Sequence, residues 1–565
     1  MAGTLWTSYG ALVIHDPFVY GPNGVGLAFS FAQLALIARF GSGPARGTEP
    51  LKLGADALAT LKGSGIAVPP YPREGPIAEH PAIVHLGVGG FHRSHMAMYT
   101  CEALRHPEAV AEGWSICGVG MMPADAAMRD ALGSQDNMFT VLSRGQSTNE
   151  ARVCGAITKY MLAPDDPAAV VEQMAAASTR IVSLTITEKG YCASDLGAMK
   201  LDAAHSFVTH DAASPLVPKS GLGFVVTALA RRRAAGIAPF TVLSCDNLQG
   251  NGTTARALTL AMADVMAPAL GPSGEGLAEW IATSVPFPNT MVDRITPATT
   301  AEVREAVKAH GIDDAWPVAA EDFAQWVIED DFPLGRPPWE KAAPVGKESA
   351  ALLVEDVVPY ELMKLRLLNG GHSSLAYVSY LLGHRTTDAA MADDDVSTFV
   401  KAYMAEVRPR VAAVPGVDLD AYQSRLIERF SNPAIGDQIQ RLCEDGSQKM
   451  EVFIAPPTRE STALSAPTSC AAFATAMWIQ YRSGVDCDDV PIEITDPGAA
   501  PSLQPLAVDA VAAADVPSSR AFVQAALGSS LAESDAFVDG VTQALATVKA
   551  DGPRAALQGF MAARQ

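Results

Sequence analysis

Metal-ligand spacing is missing from this chain. Its eight cysteines, at 101, 117, 154, 192, 245, 443, 470 and 487, form no C-x-x-C pair and no Cys/His cluster, so a zinc site is disfavoured. Several lie in apolar, strand-like runs such as WSICGVG, a setting for buried reduced thiols rather than a disulfide framework. The expected compartment is reducing, the cytoplasm. Basic residues are scarce too: 41 Lys and Arg against 62 Asp and Glu give a formal charge of -21. Such a surface repels phosphate backbones, so no nucleic-acid partner is expected, although a site can still gather local positive charge. Long hydrophobic runs are also lacking. The one candidate, VGLAFSFAQLALIA at 25–38, is too short for a comfortable membrane span and has no basic stretch before it. No membrane partner is expected either, and no internal repeat is visible.

What is present is a globular composition, 48% hydrophobic and 18% charged over 565 residues, too long for one ordinary core. From about residue 82 apolar strands alternate with Ala-rich helical stretches: Ile83–Leu86, Trp114–Val119, Arg180–Ile186 and Phe240–Ser244, with helical spacing over Ser94–Leu104. That alternation predicts a parallel, doubly wound α/β sheet. Past the proline-rich DFPLGRPPWEKAAP, helical patterns dominate, including Ser397–Val411, Leu419–Arg429, Ala471–Arg482, Ser519–Leu527 and Asp535–Lys549. The expected organisation is an extension over 1–75, a Rossmann-like dinucleotide domain over 76–350 and a mostly α-helical C-terminal domain over 351–565.

The first strand runs into IVHLGVGGFHRSH, with Gly87 and Gly89 in G-x-G spacing and His92 where a third glycine would stand. Glycines there permit a tight turn and let backbone approach a pyrophosphate; the same spacing also serves simply to turn a chain. Gly87, Gly89, Gly90, Phe91 and Thr187 are expected on the cofactor side. Asp125, several residues after the second strand, is the nearest acid for the ribose hydroxyls of NAD. The absence of arginine between Gly118 and Asp125 leans away from NADP without excluding it.

The most informative segment is PYELMKLRLLNGGHSSLAYVSYLLG, residues 359–383. It is a greasy helix carrying Glu361, Lys364, Asn369 and His372. At the α-helical advance Glu361, Lys364 and His372 share a face, with Asn369 beside His372 and the Gly370–Gly371 pair opening space next to them. A desolvated lysine loses proton affinity and can act as a general base, while amide donors steady an alcohol oxygen as it becomes a carbonyl. The bland alternative is a snorkelling lysine among satisfied core groups. Tyr360 and Lys364 also form the Y-x-x-x-K pair of short-chain dehydrogenases, but here beyond the expected domain boundary.

Six segments, IVHLGVGGFHRSH, SLTITEKGY, LSCDNLQGNG, FPNTMVDRITP, WVIEDDFPLGRPPWEK and YELMKLRLLNGGHSSLAY, resemble in that order the polyol-specific long-chain dehydrogenase/reductase family. The resemblance spans roughly 50–565. It implies two domains, a nicotinamide cofactor, no catalytic metal, and interconversion of a polyol such as D-mannitol with a ketose. A hexuronate reductase or another polyol dehydrogenase is the alternative within the class, and a non-catalytic nucleotide-binding protein the alternative outside it. It implies Lys364 as base, Asn247 and Asn369 as the amides gripping the reacting oxygen, His372 as an orienting group and Glu361 as the gate for the lysine's proton. Asp293 would lie near nicotinamide and substrate. Arg441 and Lys449, in NPAIGDQIQRLCEDGSQK, would contact sugar hydroxyls; their bland reading is a solvated helix face. Oligomeric state is not readable.

Overall fold

The computed structural model describes residues 49–564 apart from 147, 347 and 348. The apolar run at 25–38 therefore lies outside the described residues. Five strands, β1 (Ile83–Leu86), β2 (Ile116–Gly120), β3 (Ile157–Leu162), β4 (Ile181–Leu184) and β5 (Thr241–Ser244), form a parallel sheet in the order β5-β4-β1-β2-β3. Side chains of β1, β4 and β5 are buried throughout, which is why these strands read as short apolar runs instead of alternating patterns. Val84, Val182 and Val242 pack on one face with Leu222 and Leu258, and Ile83, Ile181 and Leu243 on the other with Ala97, Leu104 and Trp114. The chain builds outward from β1 to β3 and then returns to β4 on the opposite side of β1. The strand order thus reverses between β1 and β4, and the carboxyl ends of those strands frame the crevice where such sheets bind ligands.

Two sequence expectations change here. The helix expected over Ser94–Leu104 starts two residues later, following a short separate helix α1 (Gly90–Ser94) and a break at His95 with φ -112° and ψ -98°, as α2 (Met96–Ala103). The break buries His95, whose Nε2 lies 2.9 Å from the Gln325 carbonyl. The other change concerns the segment after residue 49, expected as part of an extension. Leu51–Lys52 pairs in parallel with Ile312–Asp313, and Leu53 and Leu61 pack with Met138, Leu142 and Val307.

A second, three-stranded sheet joins the two halves of the molecule. β6 (Thr290–Asp293) runs antiparallel to β7 (Gln325–Glu329), and β8 (Leu352–Val354) lies parallel to β7. The sheet therefore continues to Val354, past the expected boundary near 350. The helical part opens with α3 (Val358–Met363), widens into a π-helical turn over Lys364–Asn369, and resumes as α4 (Gly370–Leu381). Around α4 pack α5 (Asp394–Val407), α6 (Leu419–Phe430), α7 (Ile439–Cys443), α8 (Ser469–Arg482) and α9 (Asp535–Ala562). Their shared core also takes in Met291 of β6 and Val327 of β7, so the two domains are joined by apolar packing. No described helix is long and apolar enough to cross a membrane.

Candidate active site

At the carboxyl end of β1, Gly87 has φ +93°, and a Cβ there would stand 2.2 Å from the Thr185 carbonyl oxygen. Only glycine fits such a turn. A Cβ on Gly89 would meet nothing within 4 Å, whereas one on Gly90 would touch Thr296 and Val318. Phe91 stacks on His95 with ring centroids 4.9 Å apart. His92 lies flat against His85 of β1 at 3.4 Å and 12°, so a ring pair makes the close helix–strand contact that a third glycine ordinarily permits. Asp125 follows β2, and its Oδ2 accepts the Met122 amide at 2.9 Å, which ties the carboxylate into the local turn. Thr187, after β4, has φ +61°. Its amide donates to Asp246 Oδ1 at 2.8 Å, and the Tyr191 hydroxyl donates to Asp246 Oδ2 at 2.9 Å. Burial pushes the Asp246 carboxyl up to about 6. Asp246 thereby ties the Thr187 loop to the loop carrying Asn247, a connection not visible from the C-D-N-L motif itself.

The structure brings Glu361, Lys364 and Asn247 together around one cleft between the domains, lined also by Leu248, Met291 and Val292. The Lys364 Nζ donates to Asn247 Oδ1 and, at 2.8 Å, to the Val292 carbonyl at the end of β6. Burial lowers the proton affinity of this amine, with Asp293 acting against that effect and Arg429 adding to it. An uncharged amine has two N–H groups and one lone pair. With both N–H groups held, the lone pair is the position left for a reacting proton. Because Lys364 donates to the Asn247 oxygen, the Asn247 amide NH₂ keeps its donors for another partner.

Glu361 accepts the Gly250 amide on Oε1 at 3.0 Å, while its Oε2 is buried without a partner. Burial pushes this carboxyl up to about 7. Asn369 Oδ1 and His372 Nε2 are likewise buried and unpartnered among the described residues. His372 stacks on Phe430 at 4.1 Å, and burial drives it down to about 3, so the ring is neutral. The π-helical turn over Lys364–Asn369 departs from the continuous α-helix expected, yet Lys364 and His372 both act on the Asp293 carboxylate. Nor do Gly370 and Gly371 open space for a ligand: a Cβ on Gly370 would meet the Tyr403 hydroxyl at 2.5 Å, and one on Gly371 the Met404 methyl at 2.8 Å. They let α4 approach neighbouring helices closely.

Asp293 is committed to a partner the sequence did not suggest. Its Oδ2 and Oδ1 accept from Arg429 of α6 at 2.8 and 2.9 Å. The same guanidinium grips both oxygens of Glu321, at 2.9 and 2.7 Å. Burial works to raise both carboxyls; Arg429 outweighs it at Asp293, which is held low, and not at Glu321, which stays high. Arg429 was detectable in principle, because it falls on the buried stripe of α6 formed by Leu419, Tyr422, Leu426 and Phe430. Arg441 is anchored by Asp437 at 2.8 and 2.6 Å, and Lys449 donates to the Arg441 and Leu442 carbonyls at 3.1 and 3.2 Å. Arg441 and Asp437 stand close enough to His372 to act on that ring.

Comparison with known proteins gives the same two-part division. The mannitol dehydrogenase Rossmann domain matches residues 81–341, and the mannitol dehydrogenase C-terminal domain matches residues 356–549. Mannitol 2-dehydrogenase of Aspergillus oryzae is 41% identical over 511 residues, covering 89% of this chain and 98% of that protein. Mannitol dehydrogenase 2 of Saccharomyces cerevisiae is 41% identical over 91% of this chain and 98% of its own length. Among solved structures, Pseudomonas fluorescens mannitol 2-dehydrogenase in a ternary complex with NAD and D-mannitol superposes with a TM-score of 0.77 at 39% identity, over 90% of this chain and 99% of that one. A substrate-free D-sorbitol dehydrogenase gives a TM-score of 0.76 at 34% identity over 90% of this chain and 100% of that one. With a doubly wound sheet, a helical second half and matches across both, the chain belongs to the mannitol dehydrogenase family.

Proposed function

We propose that this protein is an NAD-dependent polyol dehydrogenase interconverting a sugar alcohol, D-mannitol first, and its ketose, with Lys364 as the general base. The observation that carries the reading is the Lys364 amine, buried, with both N–H groups engaged by Asn247 and Val292 and its lone pair left for substrate. The turn at Gly87, closed to any side chain, and the open flank at Gly89 suit a dinucleotide pyrophosphate at the strand reversal, with Thr187 and Phe91 beside it and Asp125 as the acid nearest the ribose. Bound there, the nicotinamide supplies the hydride acceptor.

Lys364 takes the hydroxyl proton of the alcohol. The amide donors of Asn247 and Asn369 steady the oxygen as it gains negative charge and then becomes a carbonyl. His372, neutral and pressed on Phe430, hydrogen-bonds the same carbon's neighbours and fixes which hydroxyl meets the lysine. Glu361, with a free buried oxygen and a carboxyl poised at about 7, passes the proton from Lys364 toward solvent. Arg441 and Lys449 bind the distal hydroxyls. In this reading the lysine takes the base's role and no metal takes part. Eight free cysteines, only Cys487 of them exposed, suit the cytoplasm, and the acidic surface argues for small-molecule partners without nucleic acid or membrane.

The test is NADH formation at mildly alkaline pH over D-mannitol, D-arabinitol, D-sorbitol, D-mannonate and D-altronate, with EDTA present and NADP run in parallel. Rapid turnover of D-mannitol with NAD is expected. Turnover of the aldonates alone would reassign the substrate, and loss of activity in EDTA would overturn the metal-free chemistry.

A further inference from the structure

A buried cation beside the proposed base lies in none of the sequence motifs singled out above. Arg429 reaches from α6 in the helical domain to two carboxylates of the sheet domain, Asp293 at the end of β6 and Glu321, with four hydrogen bonds between 2.7 and 2.9 Å. All three side chains are at most 5% exposed. The guanidinium lies over the Phe323 ring at 4.0 Å, which fixes its plane, and the Ile295 amide holds Glu321 Oε1 at 2.6 Å. Both carboxylates are therefore locked in place around a single arginine.

The position of this triad matters because Lys364 is bonded to the Val292 carbonyl, one residue before Asp293. Asp293 is the carboxylate that acts most strongly on the lysine, ahead of Glu361. An Asp293 side chain released from Arg429 would have Lys364 as its closest cation, and an ion pair between them would hold the lysine as an ammonium with no lone pair to offer. We propose that Arg429 is a positioning residue: by gripping Asp293 and Glu321 together it holds the Asp293 carboxylate off the Lys364 amine, leaving that amine free to take the substrate proton. The inference rests on Lys364 being the base. The charged and titratable groups around the amine are Glu361 on its own helix, Asp293 on β6, Arg429 on α6 and His95 between α1 and α2. His95 is buried and driven down to about 3, so it carries no charge. Asp293 and Arg429 are then the pair whose balance sets the lysine.

The experiment is the pH profile of kcat/KM for polyol oxidation in the wild type, Arg429→Gln, Arg429→Lys and Lys364→Ala. Removing the guanidinium deletes a like charge and frees an opposite one, both of which favour the ammonium. The acid limb in Arg429→Gln should therefore move to higher pH by about one pH unit or more. Arg429→Lys keeps the charge and should return the limb toward its wild-type position, even at reduced rate. A folded Arg429→Gln protein whose activity falls equally at every pH, with the limb unmoved, would overturn the proposal and leave Arg429 a structural clamp. If that variant does not fold, Asp293→Asn takes its place. Losing the anion should move the limb to lower pH, and an unmoved limb there overturns the proposal too. Lys364→Ala separates the two levels: if it retains turnover, the base assignment itself fails and the clamp's role with it, whereas an inactive Lys364→Ala beside an unmoved Arg429→Gln limb defeats the clamp alone.

Discussion

Asp437 spends both carboxylate oxygens on Arg441, four residues along, at 2.8 and 2.6 Å, and so cancels the charge of the arginine proposed to meet the far end of a substrate. A polyol is uncharged and loses nothing by this. An aldonate, which needs a free cation for its carboxylate, does. Asp437→Asn should raise kcat/KM for D-mannonate relative to D-mannitol by about tenfold, the value of about 1.4 kcal/mol of recovered ion pairing; an unchanged ratio would mean that Arg441 does not face the substrate. At this scale the sequence reveals residues whose environment is local. Lys364, Asn369 and His372 stand out because they sit in an apolar run, where a buried polar group needs a partner or a ligand. Arg429, Asp246 and Asp437 escape notice because their meaning lies in partners. Arg429 meets Asp293 from 136 positions away, and no spacing rule reaches that far.

The elements carry a different lesson. Four strands of the parallel sheet were legible to within a few residues, since a central parallel strand needs only a short apolar run between turns, and β1 ends where Gly87 must turn; the edge strand β3, half-buried along most of its length, and the strands β6 to β8 of the second sheet were not. The helix bearing Lys364 was legible as an element but not in its phase. A π-helical turn over Lys364–Asn369 inserts extra residues into one turn, as functional sites often do, and no apolar repeat announces it. Lys364 faces β6 and Asn247, His372 stacks on Phe430, and both side chains act on Asp293. The misreading of Gly370 has the same origin: small residues beside polar ones suggest a cavity, but here they mark close packing against Tyr403. Gly370→Ala should cost about 1–3 kcal/mol through that clash, read as a lowered thermal midpoint with the KM for NAD little changed. A variant as stable as the wild type would show that α4 has room to shift.

Across the whole molecule, stability should depend on pH through its buried histidines. His85, His95 and His372 are each driven down to about 3 by burial, and His92 is lowered as well. In the unfolded chain each binds a proton below about 6.5 while the folded protein does not. Stability is therefore full above that pH and falls as the pH drops toward 3, by about 1.4 kcal/mol per pH unit for each histidine. Glu361 and Asp246, with folded values raised to about 7 and about 6, oppose this, because they gain protons on folding. Glu321, also raised, adds to that opposition, and His310 is lowered with the other rings; five histidines outweigh three carboxyls, so the thermal midpoint should drop between pH 7 and pH 5, and a flat or rising midpoint would contradict the burial of these rings. The same interior explains why the site lies between domains. The sheet supplies the turn at Gly87, the carbonyl of Val292 and the amide of Asn247; the helices supply Lys364, Asn369 and His372; and Arg429 fastens the halves together beside the lysine.

The most direct test of the central claim is a paired measurement on Lys364→Ala, NADH binding by fluorescence titration and D-mannitol oxidation at mildly alkaline pH. The account predicts NADH binding within a few-fold of wild type and turnover reduced by about a thousandfold, as expected when a general base is removed. Near-normal turnover with intact binding would show that the proton leaves by another route and that Lys364 is not the base.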